Sequence, residues 1–372
     1  LLAVLLAVAV VFAWNRYSPP AVGPAERPQP VANTIYFGPL NSIAVLPFAV
    51  QSASAEQQFW SVGFSHDLTR LLMLTPRMRV TSSNSALFFR DREAADRVIA
   101  EHLQVNHVLS GVFRFSEDQS SLSLRLFNAR KNNETWSREY ELDNGRLSEI
   151  RETLMVDLAT ALGMENAVAD IQVEPLSSEA WTAYLRGLHY QALRTPEDFD
   201  RAEKAFREAL GLAPGYELAR VALATALLSR QAAGNLAPAL LTDARTELEV
   251  VLHSNPDQPE AQGLSSYISR NFDWDWSGAL ESAEEAIRLN PGDPELMSIA
   301  SLAMFSMGQF SRARELMEQA VRQDPLNLAG RLRLGLLQEF SGDYETALTS
   351  YRLLLEMNPD FPAAHAFRAR IK

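Results

Sequence analysis

A chain of 372 residues, 47% of them hydrophobic, is long enough to hold more than one hydrophobic core. Its formal net charge of −12 at pH 7 argues against a nucleic-acid-binding surface, because such surfaces carry clustered positive charge. The chain has no cysteine, which excludes a disulfide framework, a thiolate zinc site and a cysteine nucleophile.

The first residues form an almost wholly apolar segment. Residues 1–14 would span about 21 Å as a helix, against about 30 Å for a bilayer core. We expect 1–17 to be part of a transmembrane helix, with Trp14 and Tyr17 at the membrane interface. The alternative is the apolar core of a cleaved signal peptide. Residues 18–40 carry six prolines and are predicted to be an extended linker.

Residues 41–163 mix strand and helix patterns. The order is βαβαβββα, which predicts an α+β domain. Strands are expected where short apolar or alternating runs occur, and helices where apolar residues follow the helical period. The predicted strands are 42–48, 78–82, 105–115, 121–128 and 134–142, and the predicted helices are 56–74, 92–103 and 147–162.

The second half of the chain repeats one spacing five times, with small or apolar residues at i, i+4 and i+7 and proline at i+12. Successive prolines are 42, 35, 34 and 34 residues apart. A period near 34 residues is typical of helical hairpins that bury their apolar faces only by stacking. Residues 178–372 are therefore predicted to be an all-α solenoid of about five repeats and a partial helix, with a binding surface. The copies are Ala202, Phe206, Ala209 and Pro214; Ala244, Leu248, Val251 and Pro256; Ala279, Ala283, Ala286 and Pro291; Ala313, Met317, Ala320 and Pro325; and Ala347, Tyr351, Leu354 and Pro359.

Two parts of the chain resemble known families. The segments 42–48, 59–68, 109–114 and 136–140, in this order, resemble the TolB-amino-terminal-like domain, from which Val62 departs because the family usually has an acidic residue there. In bacteria this domain commonly follows a membrane helix and precedes tetratricopeptide repeats. It occurs in CadC-like winged-helix regulators and in some class III adenylate cyclases.

The five repeats resemble the tetratricopeptide family. Four glycines occupy positions where we expect close helix packing: Gly187, Gly308, Gly335 and Gly342. The third repeat has serines in its first helix where small apolar residues are expected, so its packing is predicted to be the loosest. Its segment 273–276, Asp-Trp-Asp-Trp, is predicted to fix the turn between two helices, with an aspartate capping the second.

No catalytic constellation is predicted. Ser65 and His66 are adjacent on a predicted helix and therefore do not face each other. His102 and His107 are five residues apart, whereas metal pairs on one helix face need three or four. The phosphate-binding glycine motifs are missing from the sequence. We expect no enzyme activity, no cofactor and no metal site in this region.

The groove of the solenoid is the remaining candidate site. Counting from the repeat glycines places apolar side chains of the first helices on its concave face. Such a surface suits a helix or a hydrophobic peptide of a partner protein, and it lacks the polar ring that clamps a terminal carboxylate. The alternative is that several of these residues belong to the core. The predicted groove residues are Tyr184, Leu188, Val221, Leu228, Leu302, Phe305, Leu332 and Leu336.

We therefore expect a non-enzymatic sensing or docking region of a membrane-anchored bacterial signalling protein, with residues 18–372 in the periplasm. By resemblance, the effector would be an upstream winged-helix DNA-binding domain, or alternatively a class III adenylate cyclase domain. A third alternative is a free-standing envelope scaffold or assembly factor. The sequence leaves the oligomeric state open.

Overall fold

The computed structural model describes residues 38–51, 57–75, 78–90, 92, 94–116, 120–142, 149–164, 177–232 and 237–371. The predicted membrane helix at 1–17 and most of the predicted linker at 18–40 lie outside these residues. Among the described helices, none combines the length and the apolar character needed to cross a membrane.

The first part of the fold is built on a six-stranded mixed sheet in the order β3-β1-β4-β5-β6, with β2 paired to a further stretch of β4. Strands β1, β2 and β3 are parallel to their partners, whereas β4, β5 and β6 form an antiparallel meander. The strands are β1 (Ser42–Val45), β2 (Ala49–Gln51), β3 (Arg79–Val80), β4 (His107–Arg114), β5 (Ser120–Asn128) and β6 (Asn133–Leu142).

Helices cover this sheet on both faces. One face packs its leucines against α1 and α4, and the β1–β4 end of the other face packs against α2 and α3. The helices of this part are α1 (Phe59–Met73), α2 (Ser83–Leu87), α3 (Asp96–Leu103) and α4 (Glu149–Leu162). We call this part the α/β domain.

The second part is a stack of five helical hairpins followed by a single helix. The hairpins, here repeats 1 to 5, are α5–α6, α7–α8, α9–α10, α11–α12 and α13–α14, and the last helix is α15. The first helices are α5 (Ser178–Leu193), α7 (Glu217–Ala232), α9 (Pro259–Ile268), α11 (Pro294–Ser306) and α13 (Leu328–Phe340). The second helices are α6 (Pro196–Leu212), α8 (Pro238–Ser254), α10 (Trp276–Leu289), α12 (Phe310–Gln323) and α14 (Tyr344–Met357), and α15 is Pro362–Ile371.

The repeated spacing marks the buried stripe of each second helix. All fifteen residues at i, i+4 and i+7 are at most 3% exposed. Each second helix ends shortly before its proline, because the residue preceding a proline is forced out of the helical region. At Asn290, before Pro291, the backbone has φ −135° and ψ 81°. The second half of the chain is a helical solenoid, as the repeated spacing predicted.

The α/β domain has two elements more than predicted. Pro47 has no N–H to donate, so the strand expected at 42–48 ends at Val45, and the chain pairs again as β2. Ser82 caps α2 by accepting a hydrogen bond from the Ser85 N–H at 3.3 Å. The predicted order βαβαβββα is therefore wrong in detail, since a strand of three residues and a helix of five carry little periodic signal.

Two of the four repeat glycines act as predicted. A Cβ at Gly187 would lie 2.3 Å from the Phe206 ring, and a Cβ at Gly335 would lie 2.4 Å from the Tyr351 ring. Gly308 and Gly342 differ, because a Cβ there would meet nothing within 4 Å and their φ values are +76° and +80°. These two glycines allow the left-handed turn between helices, so the packing role expected of them is wrong.

A buried hydrogen bond joins the two helices of the third repeat. Ser266 is fully buried, and its hydroxyl donates to the Ala279 carbonyl at 2.7 Å. A π-helical turn, Ser269–Asp273, then extends the first helix. Asp275 caps α10 as predicted, but Trp274 and Trp276 are 54% and 41% exposed. The prediction that these tryptophans fix the turn is therefore wrong, because about half of their surface faces solvent.

Candidate docking interface

The α/β domain packs on the repeats through one polar face of α1. Gly63, His66, Asp67 and Arg70 have the spacing i, i+3, i+4 and i+7, so they share one side of this helix. Phe64, the next residue along α1 after Gly63, packs into the core under the sheet. The Cβ of any residue replacing Gly63 would lie 2.3 Å from the Leu185 carbonyl oxygen of α5. Only glycine therefore lets the two helices approach this closely.

Trp181 of α5 is the anchor of this contact. Its side chain is 1% exposed and lies among the aromatic residues of the α/β domain. The ring centroid of Trp181 is 5.8 Å from that of Trp60 and 5.6 Å from that of Phe64, and both pairs are edge-to-face. Its indole Nε1 donates to Asp67 Oδ2 at 3.1 Å. A side chain of repeat 1 thus completes the core of the α/β domain.

A buried ion pair lies beside the anchor. Asp67 is 1% exposed and Arg151 is 3% exposed, and Arg151 Nε lies 3.1 Å from Asp67 Oδ2. The Arg151 guanidinium also lies 5.4 Å from the centroid of the Trp181 ring. The attraction between the two buried charges offsets the cost of removing them from water, whereas one buried charge without its partner would strongly destabilise the fold. Asp67 Oδ2 therefore accepts a hydrogen bond from the Trp181 indole while Arg151 balances its charge.

Burial changes the protonation behaviour around α1. Desolvation lowers the pKa of His66 to about 4, although the Asp67 carboxylate acts in the opposite direction. Desolvation also raises the pKa of Tyr184 and of Tyr216, whose ring centroids are 5.0 Å apart. At neutral pH the imidazole and both phenols are therefore uncharged.

A second contact joins the α/β domain to the end of repeat 4. The Ser82 hydroxyl donates to Asp324 Oδ2 at 2.7 Å, and the Ser85 hydroxyl donates to Asp324 Oδ1. Arg79 Nη2 donates to the carbonyl of Arg322 at 2.7 Å, at the C-terminal end of α12. Burial raises the pKa of Asp324, and the hydrogen bonds from the two serines oppose that shift. We call this contact the repeat-4 latch.

Between Trp181 and the repeat-4 latch, the C-terminal end of α1 lies against the starts of repeats 3 and 4. Arg70 Nη1 lies 3.9 Å from Glu260 Oε1 at the start of repeat 3. A Cβ at Gly292, just before α11, would lie 3.8 Å from the Met73 carbonyl oxygen. The α/β domain therefore contacts repeats 1, 3 and 4.

The predicted groove residues do not form one open surface. Five are buried in helix packing, at 7% exposure or less, and three are partly buried. The Tyr184 ring packs against Phe206 and Tyr216, and Leu332 belongs to the core of repeat 5. A ligand role for these residues stays a prediction. The buried ones are Tyr184, Leu188, Val221, Leu228 and Leu332, and the partly buried ones are Leu302, Phe305 and Leu336.

The residues considered for chemistry are engaged elsewhere. The Ser65 hydroxyl donates to the Val62 carbonyl at 3.1 Å, and His102 Nδ1 lies 2.8 Å from the Val98 carbonyl oxygen. His107 lies at the start of β4, within 3.0 Å of the Asn128 amide nitrogen. The described part of the chain contains no group of three or more residues that could hold a metal ion.

Sequence reasoning missed the residues that make the interface. Trp181, Arg151 and Asp324 belong to ordinary amphipathic helices or helix ends, and none forms a motif with its neighbours in sequence. Their partners are 114, 84 and more than 230 residues away along the chain. Gly63 and Asp67 do lie in a segment that resembles a known domain, but that resemblance does not indicate a contact with the repeats.

Family models for tetratricopeptide repeats match residues 274–327 and 304–371. The second half of the chain contains tetratricopeptide repeats. Similar solved structures include a thermophilic tetratricopeptide protein of Thermus thermophilus, with 21% identity and a TM-score of 0.43, covering 52% of this chain and 98% of that one. MamA of Desulfovibrio magneticus has 19% identity and a TM-score of 0.36, covering 50% and 98% of the two chains.

Among curated relatives, a Rhizobium meliloti protein named as a putative adenylate cyclase is 22% identical over 199 residues, which cover 50% of this chain and 33% of that protein. The Hsp70-Hsp90 organizing protein 2 of Arabidopsis thaliana is 27% identical over 120 residues, covering 32% of this chain and 20% of that protein. The chain thus spans a third or less of the length of these relatives.

Proposed function

We propose that this chain is a non-enzymatic protein-docking region that regulates an effector in the same polypeptide. The observation that carries the proposal is the burial of Trp181 in the core of the α/β domain. Tetratricopeptide repeats are docking devices, because stacking gives them an extended surface. In this chain the repeats hold a domain of their own polypeptide, and a signal that changes this contact can reach whatever is attached to the α/β domain.

We also propose that residues 1–17 anchor the chain in a bacterial inner membrane and that residues 18–372 lie in the periplasm. The resemblance of 41–163 to the TolB-amino-terminal-like domain supports this arrangement, and the apolar run at 1–14 agrees with it. In spheroplasts, added protease should digest the described part of the chain. Protection of that part until the membrane is lysed would contradict a periplasmic location.

Two effectors fit the proposal. The resemblance implies a winged-helix DNA-binding domain and hence a one-component transcription regulator. The alternative, a class III adenylate cyclase, is favoured by the Rhizobium meliloti relative, whose similarity extends over half of this chain. In both cases the docking region would modulate the output without acting on a substrate itself.

The test perturbs the interface and measures the output of the complete gene product. Gly63→Leu should separate α1 from α5, since even a Cβ at this position would collide with the Leu185 carbonyl. Gly215→Leu is the matched control, because a Cβ there meets nothing within 4 Å. Cellular cyclic AMP and genome-wide transcription are measured at equal protein levels.

A change of cyclic AMP with Gly63→Leu alone supports the cyclase, and a change of transcription at constant cyclic AMP supports the winged-helix regulator. If neither output differs between the two variants, the regulatory proposal is wrong. The free-standing scaffold would then be the better explanation.

A further inference from the structure

Large apolar side chains are exposed at the turns of three successive repeats. The turn between the two helices carries two such residues in each of repeats 3, 4 and 5. Their exposed fractions lie between 41% and 54%, and they make up six of the thirteen large hydrophobic residues that are exposed in the described part of the chain. We call this surface the turn ridge: Trp274, Trp276, Met307, Phe310, Phe340 and Tyr344.

Aromatic contacts connect the turn ridge between repeats 4 and 5. The Phe305 ring centroid lies 5.2 Å from those of Phe310 and Phe340, so it joins the turns of repeats 4 and 5. Toward repeat 3, Met307 and Ser277 both line a groove along α10, and Ser277 directly follows Trp276. Exposed apolar patches of this kind mark interaction sites more often than scattered single residues do.

An acidic groove opens beside the ridge. It has a volume of about 620 Å³ and follows α10. Glu281, Glu284 and Glu285 line it. Arg288 binds Glu285 through two hydrogen bonds of 2.6 and 2.7 Å, and Arg312 lies 3.3 Å from Glu284. Glu281 makes no ion pair with the described residues, so the groove keeps a net negative character.

From this arrangement we infer that the turn ridge and its acidic groove bind a basic amphipathic helix of a partner protein. Apolar residues at i, i+3, i+4 and i+7 of such a helix would lie on the ridge, and lysine or arginine on its flank would reach Glu281 and Glu284. The net charge of −12 favours the approach of a basic partner.

This inference deepens the proposed function, on which it rests, because it names the class of partner that the docking region recognises. It also places that partner on residues that do not contact the α/β domain in the hydrogen bonds and ion pairs described above. The two surfaces are formed by different residues, so each can be disrupted without the other.

The experiment measures binding of a labelled peptide to the purified 372-residue chain by fluorescence anisotropy. The probe is a helical peptide of about 18 leucines and lysines, with leucine at i, i+3, i+4 and i+7. One comparison peptide has the same composition in scrambled order, and the other has glutamate in place of lysine. Only the basic amphipathic peptide should bind.

Two double variants test the site. Phe310→Ser with Phe340→Ser removes the ridge, and Glu281→Lys with Glu284→Lys reverses the groove. Each should weaken binding about tenfold or more. The matched controls, Leu212→Ser and Glu152→Lys, change residues that are exposed elsewhere and should leave binding unchanged.

Equal binding of the scrambled peptide, or undiminished binding by both double variants, would overturn the inference. So would a dimer, or binding to zwitterionic lipid vesicles, that the Phe310→Ser and Phe340→Ser variant abolishes, because the ridge would then have another occupant. If peptide binding fails while Gly63→Leu still alters the output, the proposed function stands and only this inference is lost. The converse result would retain the peptide site and reject the regulatory role.

Discussion

At the scale of single residues, two desolvated titratable groups contribute to the pH dependence of folding. His66, on the interface face of α1, has its pKa lowered to about 4 by desolvation. Asp293, which caps α11 by accepting hydrogen bonds from the N–H groups of Glu295 and Leu296, has its pKa raised to about 7 by desolvation. The two groups therefore act in opposite directions over the same range of pH.

The signs follow from proton linkage. The unfolded chain binds a proton at His66 below about pH 6.5, whereas the folded chain does so only near pH 4, so His66 makes folding less favourable as the pH falls. The folded chain keeps a proton on Asp293 up to about pH 7, whereas the unfolded chain loses it near pH 3.9. Asp293 therefore makes folding more favourable as the pH falls.

We predict that removing each group changes the pH dependence of stability in opposite directions. With His66→Gln, the midpoint of urea unfolding should rise relative to wild type as the pH falls from about 6.5 to about 4. With Asp293→Asn it should fall more steeply than in wild type over that range. Parallel pH profiles for all three proteins would contradict the assignment.

At the scale of elements, small residues decide how closely helices approach. Repeats 1 and 5 use the same arrangement, in which a glycine of the first helix faces an aromatic ring of the second. Gly187 faces Phe206, and Gly335 faces Tyr351. The ring fills the space that a side chain would need, so each hairpin has one preferred spacing between its helices.

We predict that Gly187→Ala lowers the free energy of unfolding by about 1–3 kcal/mol, because the new methyl group would overlap the Phe206 ring. Gly211→Ala is the control, since it lies in α6 with nothing within 4 Å of its Cβ. That change should be neutral or stabilise the helix by up to about 1 kcal/mol. Urea unfolding followed by circular dichroism measures both changes. Equal unfolding midpoints for wild type and Gly187→Ala would contradict the prediction, because the helices would then accommodate the methyl group without loss of stability.

At the scale of the whole molecule, the α/β domain connects repeats that are far apart in sequence. Trp181 of repeat 1 and Asp324 of repeat 4 both contact it. In an ordinary solenoid each repeat contacts only its neighbours. Here a globular domain adds a contact between repeat 1 and repeat 4, so these repeats are not independent.

We predict that breaking the repeat-4 latch loosens repeats 4 and 5 without unfolding repeat 1. Ser82→Ala with Ser85→Ala removes both hydroxyl donors from the buried Asp324 carboxylate. Amide hydrogen exchange should then become faster in α12 to α14 and stay unchanged in α5. Ser341→Ala is the control, because its hydroxyl only returns to the Leu337 carbonyl of its own helix. Unchanged exchange in the double variant would show that the latch does not stabilise these repeats.

The sequence predicted the parts of this fold that local patterns determine. Ala202, Phe206 and Ala209 reveal a buried helix face because their spacing alone places them on one side. The helix ends were predictable from the prolines, because the residue before a proline is kept out of the helical region of backbone angles. Cap residues such as Asp275 were also predictable, since a cap acts on N–H groups only two or three residues away.

The interface could not be predicted in this way. No local sequence pattern around Trp181 indicates that its ring enters the core of another domain, because its partners Trp60 and Phe64 lie more than 110 residues earlier in the chain. The concave surface was predicted to be apolar from the repeats alone. Around the aromatic anchor, the α/β domain also meets the repeats with Asp67, Arg70, Arg79 and Ser82, a polar set that only the packed structure brings together.

The repeat-4 latch also has a mechanical consequence. Arg79 holds the last carbonyls of α12, and Trp181 holds α5, so a tensile force applied between these two helices is shared between two routes. One route runs through the stacked hairpins of repeats 1 to 4, each of which packs on its neighbours. The other runs through the α/β domain, so that breaking the latch would leave the stacked hairpins to bear the whole force.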